Sequence, residues 1–212
     1  MSQGKLLNYN SERGARAYRA DYDNKIHRKL SDKWERNILS GYFQRIGDVD
    51  RLLDVPCGAG RLQSLFRSVA GQVYEADWSH TMLAVNREEH SDNGMPYIRC
   101  SALELPFGDR AMDVVVSIRL SHHLEEIEDR ENHLRELMRV ADKAVIATWF
   151  SANSLKNLLR EVRVKLMGKR PKNVLRTGQV RRIALESGFR LESATPLARI
   201  GSGHIFGLFR RQ

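Results

Sequence analysis

The chain has little cysteine, little proline and no long hydrophobic run. Its 212 residues include only two cysteines, Cys57 and Cys100, and five prolines. Two cysteines are too few for a disulfide framework or a zinc cluster, so we expect a reducing compartment and no metal. No apolar stretch approaches the roughly 18 residues that a membrane-spanning helix needs, and the first residues lack a signal-peptide pattern. The sequence therefore predicts a cytoplasmic protein without a transmembrane segment.

Acidic residues are nearly absent from one part of the chain, residues 151–182. This segment holds ten basic residues and a single acid, Glu161, while the net charge of the whole chain is +9, so the remainder is neutral. Apolar residues recur within it at helical spacing: Leu155, Leu158, Leu159, Val162 and Leu166. The pattern predicts an amphipathic basic helix. Such a helix attracts an anionic ligand or an anionic membrane surface, or it is only a solvated face. Nucleic acid is the less favoured partner, because no aromatic residue is interleaved with the basic ones.

Short apolar runs alternate with helical periodicity along the rest of the chain. The predicted strands that precede the basic segment are Arg51–Val55, Gln72–Ala76, Tyr97–Cys100, Asp113–Ile118 and Ala144–Phe150. Helices are predicted between them and over Leu124–Val140 and Thr177–Ser187. This alternation predicts an α/β fold, with a mostly parallel sheet and helices on both faces. The last two runs, Phe189–Leu197 and His204–Arg210, predict a terminal strand pair.

The N-terminal region also shows a helical pattern. Ile26, Leu30, Trp34 and Ile38 recur at helical spacing, which indicates one or two helices. We therefore expect a single domain over residues 1–212. A helical cap over residues 1–46 and a basic lid over residues 151–182 would belong to it.

The strongest local pattern is Leu-Asp-Val-Pro-Cys-Gly-Ala-Gly, residues 53–60. A strand runs into a glycine turn and then into a helix, and Gly58 and Gly60 would let a ligand approach the backbone closely. Asp77 follows Gly58 by nineteen residues, at the end of the next strand. A carboxylate at that place meets the ribose hydroxyls of a nucleotide-like cofactor.

Two common nucleotide patterns do not fit this turn. A dinucleotide fingerprint needs a small residue three positions after the second glycine, where this chain has Gln63. A P-loop needs Gly-Lys-Ser/Thr, whereas Gly60 is followed by Arg61 and Leu62.

The run instead resembles the first motif of class I S-adenosylmethionine-dependent methyltransferases, with Pro56 in place of a frequent glycine. Residues 77–83 are similar to the second motif of that family. Residues 101–107 are similar to its Asp-Ala-x-x-Leu-Pro-Phe segment, with Ser101 replacing the acid. Residues 113–117, 122–124 and 135–140 resemble its later elements, so the resemblance spans about residues 51–150.

The resemblance implies S-adenosyl-L-methionine as the cofactor and assigns residues to it. The expected cofactor-binding residues are Asp54, Pro56, Gly58, Gly60, Asp77, Trp78, Ser101, Ala102, Leu103 and Ser117. Arg119, His122 and His123 are the candidate catalytic residues, since they would face the acceptor and histidine titrates near neutrality. Structural roles remain open for several of them: Asp54 as a turn cap, Trp78 as core, and the two histidines as helix caps.

The function implied by the resemblance is methyl transfer to a small-molecule or lipid-linked acceptor, in a branch that includes quinone-biosynthesis enzymes. The basic segment suggests an anionic acceptor or a peripheral contact with the membrane. Two alternatives remain open. One is an RNA or protein methyltransferase that uses residues 151–182, and the other is a module that binds the cofactor without turnover.

Overall fold

The computed structural model describes residues 11–17, 25–90, 94–150, 174–198 and 203–212. Most of the basic segment therefore lies outside the described residues, and so does its predicted amphipathic helix.

The described helices and strands follow the predicted order. The helices are α1 (Ile26–Ile46), α2 (Gln63–Arg67), α3 (His80–His90), α4 (Ile127–Val140) and α5 (Thr177–Glu186). The strands are β1 (Arg51–Asp54), β2 (Gln72–Asp77), β3 (Tyr97–Arg99), β4 (Met112–Ser117), β5 (Ala141–Phe150), β6 (Phe189–Pro196) and β7 (His204–Arg211). A short 3-10 helix spans Ser121–His123, and residues 12–17 are helical.

The strands form one seven-stranded sheet in the order β3-β2-β1-β4-β5-β7-β6. Strands β1 to β5 pair in parallel, whereas β7 is antiparallel to both β5 and β6. The prediction of a mostly parallel, Rossmann-like sheet with an antiparallel terminal strand is confirmed.

Both faces of the sheet are covered, as the unbroken apolar run of β4 predicts. Every residue of β4 is buried, which is typical of a parallel strand with helices on each side. On one face Val115 and Val145 pack in a cluster that includes α4 and α5. On the other face Val114 and Ile146 pack in a cluster that includes α1. The prediction of helices on both faces is confirmed.

The N-terminal helix is present, but most of the apolar residues from which it was predicted are not the ones that it buries. Ile26, Leu30 and Trp34 are exposed. The buried apolar residues of α1 lie further along the helix: Leu39, Tyr42, Phe43 and Ile46. The Tyr42 hydroxyl donates to the Phe206 carbonyl (2.9 Å), so the C-terminal half of α1 is fixed to β7.

The start of α4 also differs from the prediction. A helix was expected from Leu124, but α4 begins at Ile127, after the 3-10 helix over Ser121–His123. Leu124 has extended backbone angles (φ −76°, ψ 121°), which end the first helix before the second begins.

The parallel pairing brings the ends of three strands to one edge. Asp54 ends β1, Asp77 ends β2 and Ser117 ends β4. Strand β1 lies between β2 and β4, so the order of the strands reverses there. A ligand crevice is expected at such a reversal, outside the carboxyl ends of the strands.

Two glycines test how tightly this fold is packed. A Cβ on Gly207 of β7 would lie 2.5 Å from the Trp149 ring, whereas a Cβ on Gly41 of α1 would meet nothing within 4 Å. We expect Gly207→Ala to destabilise the protein by about 1–3 kcal/mol through overpacking. The control, Gly41→Ala, should stabilise it by about 0.5–1 kcal/mol, because alanine favours the helix. Chemical denaturation measures both, and an unchanged Gly207→Ala protein would contradict this packing.

Candidate active site

A cavity of about 450 Å³ opens at the edge where β1, β2 and β4 end. Eleven of the residues that the sequence singled out line it: Asp54, Pro56, Gly58, Asp77, Trp78, Ser101, Ala102, Leu103, Arg119, His122 and His123. Two predicted residues, Gly60 and Ser117, do not line it. Arg28 and Arg61 line it but were not predicted.

Asp77 fixes the geometry of the glycine turn. The Gly58 backbone N–H donates to Asp77 Oδ2 (2.9 Å), and the Ser79 backbone N–H donates to Asp77 Oδ1 (2.8 Å). Gly58 has a φ of 55°, a left-handed conformation that favours glycine. A carboxylate offers about four acceptor sites, so Asp77 can hold the turn and still accept from a ligand hydroxyl.

Gly60 has a structural reason to be glycine that differs from the one expected. It was predicted to let a ligand approach, but a Cβ at this position would lie 2.0 Å from Asn86 Oδ1, on α3. Its φ of 72° is also left-handed. The space that Gly60 leaves open is therefore filled by α3 and not by the cavity.

Three buried acidic side chains lie near the glycine turn: Asp54, Glu75 and Asp77. Burial raises the pKa of Asp54 well above its ordinary value, and the nearby Glu75 raises it further. Burial also raises the pKa of Glu75 to about 7. A hydrogen bond of 3.0 Å that Asn86 Nδ2 donates to Glu75 Oε2 acts in the opposite direction and lowers this pKa. The pKa of Asp77 is raised by burial and lowered again by its backbone donors. Such a cluster favours a ligand that brings positive charge.

Cys57 is buried inside the same turn, and its surroundings oppose thiolate formation. Burial raises the pKa of the Cys57 thiol well above its ordinary value, and the adjacent acids raise it further. This is the opposite of the electropositive setting of a nucleophilic cysteine. Among the described residues no group of three or more histidine, cysteine and acidic side chains is placed to hold a metal ion.

Ser117 was expected to face a ligand, but it does not line the cavity. Its Oγ lies 2.9 Å from His133 Nε2, and His133 Nδ1 lies 2.9 Å from the Ala102 carbonyl. A carbonyl only accepts, so Nδ1 carries the proton and Nε2 accepts from the serine hydroxyl. Burial lowers the pKa of His133 to about 4, which keeps the ring neutral at pH 7. His133 thereby joins β4 to the segment that contains Ala102.

Two arginines that line the cavity, Arg61 and Arg119, form ion pairs with Glu35. Glu35 of α1 is fully buried, and its Oε2 accepts from Arg61 Nη2 (2.7 Å). Its Oε1 accepts from Arg119 Nε (3.0 Å), with a second contact from Arg119 Nη2. Arg119 has a φ of 65°, which is rare for a residue with a side chain, and its backbone N–H donates to Thr148 Oγ1 (2.6 Å). Arg119 is thus fixed through both its backbone and its side chain.

The two candidate histidines lie together in the 3-10 helix that follows Arg119. The rings of His122 and His123 have centroids 3.9 Å apart, and His122 lies 4.6 Å from the Phe150 ring and 5.2 Å from the His204 ring. Both histidines line the cavity. His204, on β7, completes an aromatic cluster that the sequence did not reveal.

Comparison with known proteins finds similarity to methyltransferases. Residues 53–147 match the family model described as a methyltransferase domain. The chain is 30% identical over 142 residues to a ubiquinone/menaquinone biosynthesis C-methyltransferase of Xylella fastidiosa (strain M23), covering 59% of this chain and 53% of that protein. It is 33% identical over 114 residues to the Vibrio parahaemolyticus enzyme of the same description, covering 50% of this chain and 42% of that protein.

These similarities support a class I S-adenosylmethionine-dependent methyltransferase. The chain spans about half the length of the curated relatives it matches. The fold is also similar to that of magnesium protoporphyrin IX methyltransferase from Synechocystis PCC 6803, solved with bound SAH. The TM-score is 0.74 at 15% identity, over 92% of this chain and 93% of that one.

The match to a methyltransferase domain supports S-adenosylmethionine as the cofactor. The chemistry of the cavity fits this cofactor. Asp54 and Asp77 line the cavity and are buried acids with raised pKa values, so they would favour a positively charged sulfonium compound. The described part of the chain contains no helix that is long and apolar enough to cross a membrane.

Glu75 provides a test of the acid cluster. In the unfolded chain its pKa is near the ordinary 4.5, and in the folded protein it is about 7. Between these values the folded state binds more protons, so the free energy of unfolding should fall as the pH rises, by up to about 3 kcal/mol, and then level off. Glu75→Gln should show a smaller fall, because glutamine is neutral throughout and only the other acids with raised pKa values still titrate.

Denaturation of the free protein across this pH range measures the effect. Glu104→Gln, which changes an exposed glutamate, is the control and should follow the wild type. If Glu75→Gln and the wild type show the same pH profile, Glu75 does not titrate in that range.

Proposed function

We propose that the protein transfers a methyl group from S-adenosylmethionine to a small-molecule or lipid-linked acceptor that carries an anionic group. The observation that carries the proposal is the extent of the cavity. It continues from the glycine turn past Ala102 and Leu103 to Ile118, Leu120 and Leu124. The far end combines apolar walls with arginine and histidine side chains, which suits a compact acceptor with an apolar body.

The comparisons support a small-molecule acceptor. The curated relatives are named for ubiquinone and menaquinone biosynthesis, and the solved neighbour is named for magnesium protoporphyrin IX. All of these names refer to small molecules and not to macromolecules. An acceptor of that size is consistent with the cavity.

Within this proposal the chain supplies binding and alignment. When bound, S-adenosylmethionine supplies an activated methyl group. Asp77 would hold the ribose, Asp54 would offset positive charge near the turn, and Trp78 would lie against the adenine. Ala102 and Leu103 would contact the other edge of that ring, and His133 would keep their segment in place. Alignment of this kind supplies roughly 7–11 kcal/mol of rate enhancement in the best model systems.

The acceptor would occupy the far end of the cavity. Arg119, held by Glu35 and Thr148, would bind its anionic group. His122 or His123 would take the proton that the acceptor loses as it gains the methyl group, since a histidine suits this role near neutral pH.

The direct test is a methyl-transfer screen with labelled donor across lipid extract, quinols, acidic metabolites and total RNA. We expect label in a small-molecule or lipid acceptor. Asp77→Ala should raise the KM for S-adenosylmethionine by roughly tenfold or more, because charged hydrogen bonds contribute roughly 1.5–3 kcal/mol each, and a rise of less than about threefold would contradict its role. Asp48→Ala, an exposed acid that precedes β1, is the control.

Melting temperatures must accompany these measurements, since Asp77 also accepts two backbone hydrogen bonds. Label in RNA alone would favour the nucleic-acid alternative. Cofactor binding without any transfer would favour a module that lacks turnover.

Residues 151–182 form part of the proposal as an acceptor-side lid with affinity for anions. A variant with Arg160, Arg163, Lys169 and Arg170 changed to Gln should keep its affinity for the cofactor and lose acceptor or anionic-vesicle binding. Binding by the wild type should weaken with salt, since the Debye length shortens from about 10 Å at 0.1 M to about 3 Å at 1 M.

The matched control removes the same charge elsewhere, by changing the exposed Arg51, Arg67, Arg87 and Arg190 to Gln. Normal turnover of the acceptor by the lid variant, with no salt dependence in the wild type, would show that the segment is only a solvated face.

A further inference from the structure

The first half of α1 exposes three large apolar residues in a row. Ile26, Leu30 and Trp34 are 77%, 48% and 47% exposed, and their spacing of four places them along one side of the helix. Single exposed apolar residues need no explanation, but a continuous row marks an interaction surface. The apolar contacts of α1 with the core are made by its second half, from Ile38 onward.

Basic residues run beside this row. Lys25, Lys29 and Lys33 are exposed and share the same spacing of four. The two acids in this half of the helix, Asp32 and Glu35, turn towards the body of the protein, where both pair with Arg61. The charged side chains exposed beside the apolar row are therefore basic. We call the surface formed by Ile26, Lys29, Leu30, Lys33 and Trp34 the outer face of α1.

We propose that the outer face of α1 docks the protein onto an anionic lipid bilayer. An interfacial helix needs a row of apolar side chains flanked by lysines, with tryptophan at the headgroup level. The outer face has all three. Nucleic acid would also attract the lysines, but the aliphatic side chains of Ile26 and Leu30 have no stacking partner among bases, whereas lipid tails accommodate them.

Docking at this face would place the cavity one helix away from the bilayer. Arg28 lies two residues from both Ile26 and Leu30, so its side chain leaves the opposite side of α1, and it lines the cavity. A helix with its side chains is only about 10–12 Å across, so the cavity lies about one helix diameter from the headgroups. The inference concerns a surface separate from residues 151–182, and it holds whatever the identity of the acceptor.

Vesicle sedimentation of the whole chain tests the proposal, with phosphatidylcholine vesicles that contain or lack phosphatidylglycerol. The wild type should bind the anionic vesicles more tightly. Lys29→Gln with Lys33→Gln should weaken that binding by about 25-fold, about fivefold per lysine. Leu30→Ser with Trp34→Ser should also weaken it. Leu185→Ser, an equally exposed apolar residue on α5, should bind as the wild type does.

Tryptophan emission locates the contact. Anionic vesicles should shift the emission to shorter wavelength, and this shift should be smaller in Trp34→Phe, which keeps an apolar side chain and should still bind. Cofactor affinity, measured without vesicles, should be unchanged in every α1 variant. Failure of docking is thereby distinguished from failure of the methyltransferase assignment.

Three results would overturn the proposal. One is wild-type affinity for anionic vesicles in both double variants. Another is equal binding to neutral and anionic vesicles. The third is loss of binding on removing the lysines but not on removing Leu30 and Trp34, since that would show a general polyanion surface instead of a lipid-docking one.

Discussion

The buried carboxylate of Glu35 is the constraint on which the cavity depends. Taking a lone carboxylate out of water costs several kcal/mol, and the cost is offset only where hydrogen-bonded cations surround the charge. Arg61 and Arg119 meet this requirement from the segments that follow β1 and β4. Because Glu35 belongs to α1, the same contacts attach the N-terminal helix to the cavity wall. The left-handed backbone of Arg119 is tolerated because its partners fix the residue from both ends.

The acids under the glycine turn present the opposite case. Asp54 and Glu75 are as buried as Glu35. The pKa values of Asp54 and Glu75 are raised, because desolvation outweighs the interactions that favour their charged forms. Arg61 acts on both groups of acids, since it pairs with Glu35 and its charge also lowers the pKa of Asp54. The pKa of Asp54 is nevertheless raised, which matches a cofactor with a cationic centre.

The sequence predicted those features that short segments determine. Buried strands such as β4 are continuous apolar runs, and the turn before Gly58 has its own pattern, so the sheet and most cavity residues were predicted. The surroundings of Gly60 and Ser117 were not predicted, because they depend on Asn86 and His133, which are distant in sequence. Glu35 was missed because a buried glutamate in a helix has the same local pattern as an exposed one. The row at Ile26, Leu30 and Trp34 suggested a core-facing helix, since periodicity shows which residues share a side but not what covers it.

The position of β7 has a consequence for how the chain assembles. Strand β7 lies between β5 and β6, although it follows both in the sequence. During synthesis the edge of β5 therefore stays unpaired until residues 204–211 have left the ribosome. An open apolar edge of this kind can pair with another chain. Newly made protein is thus most prone to aggregate in the interval between the synthesis of β5 and that of β7, and a chaperone that binds extended apolar segments would act there.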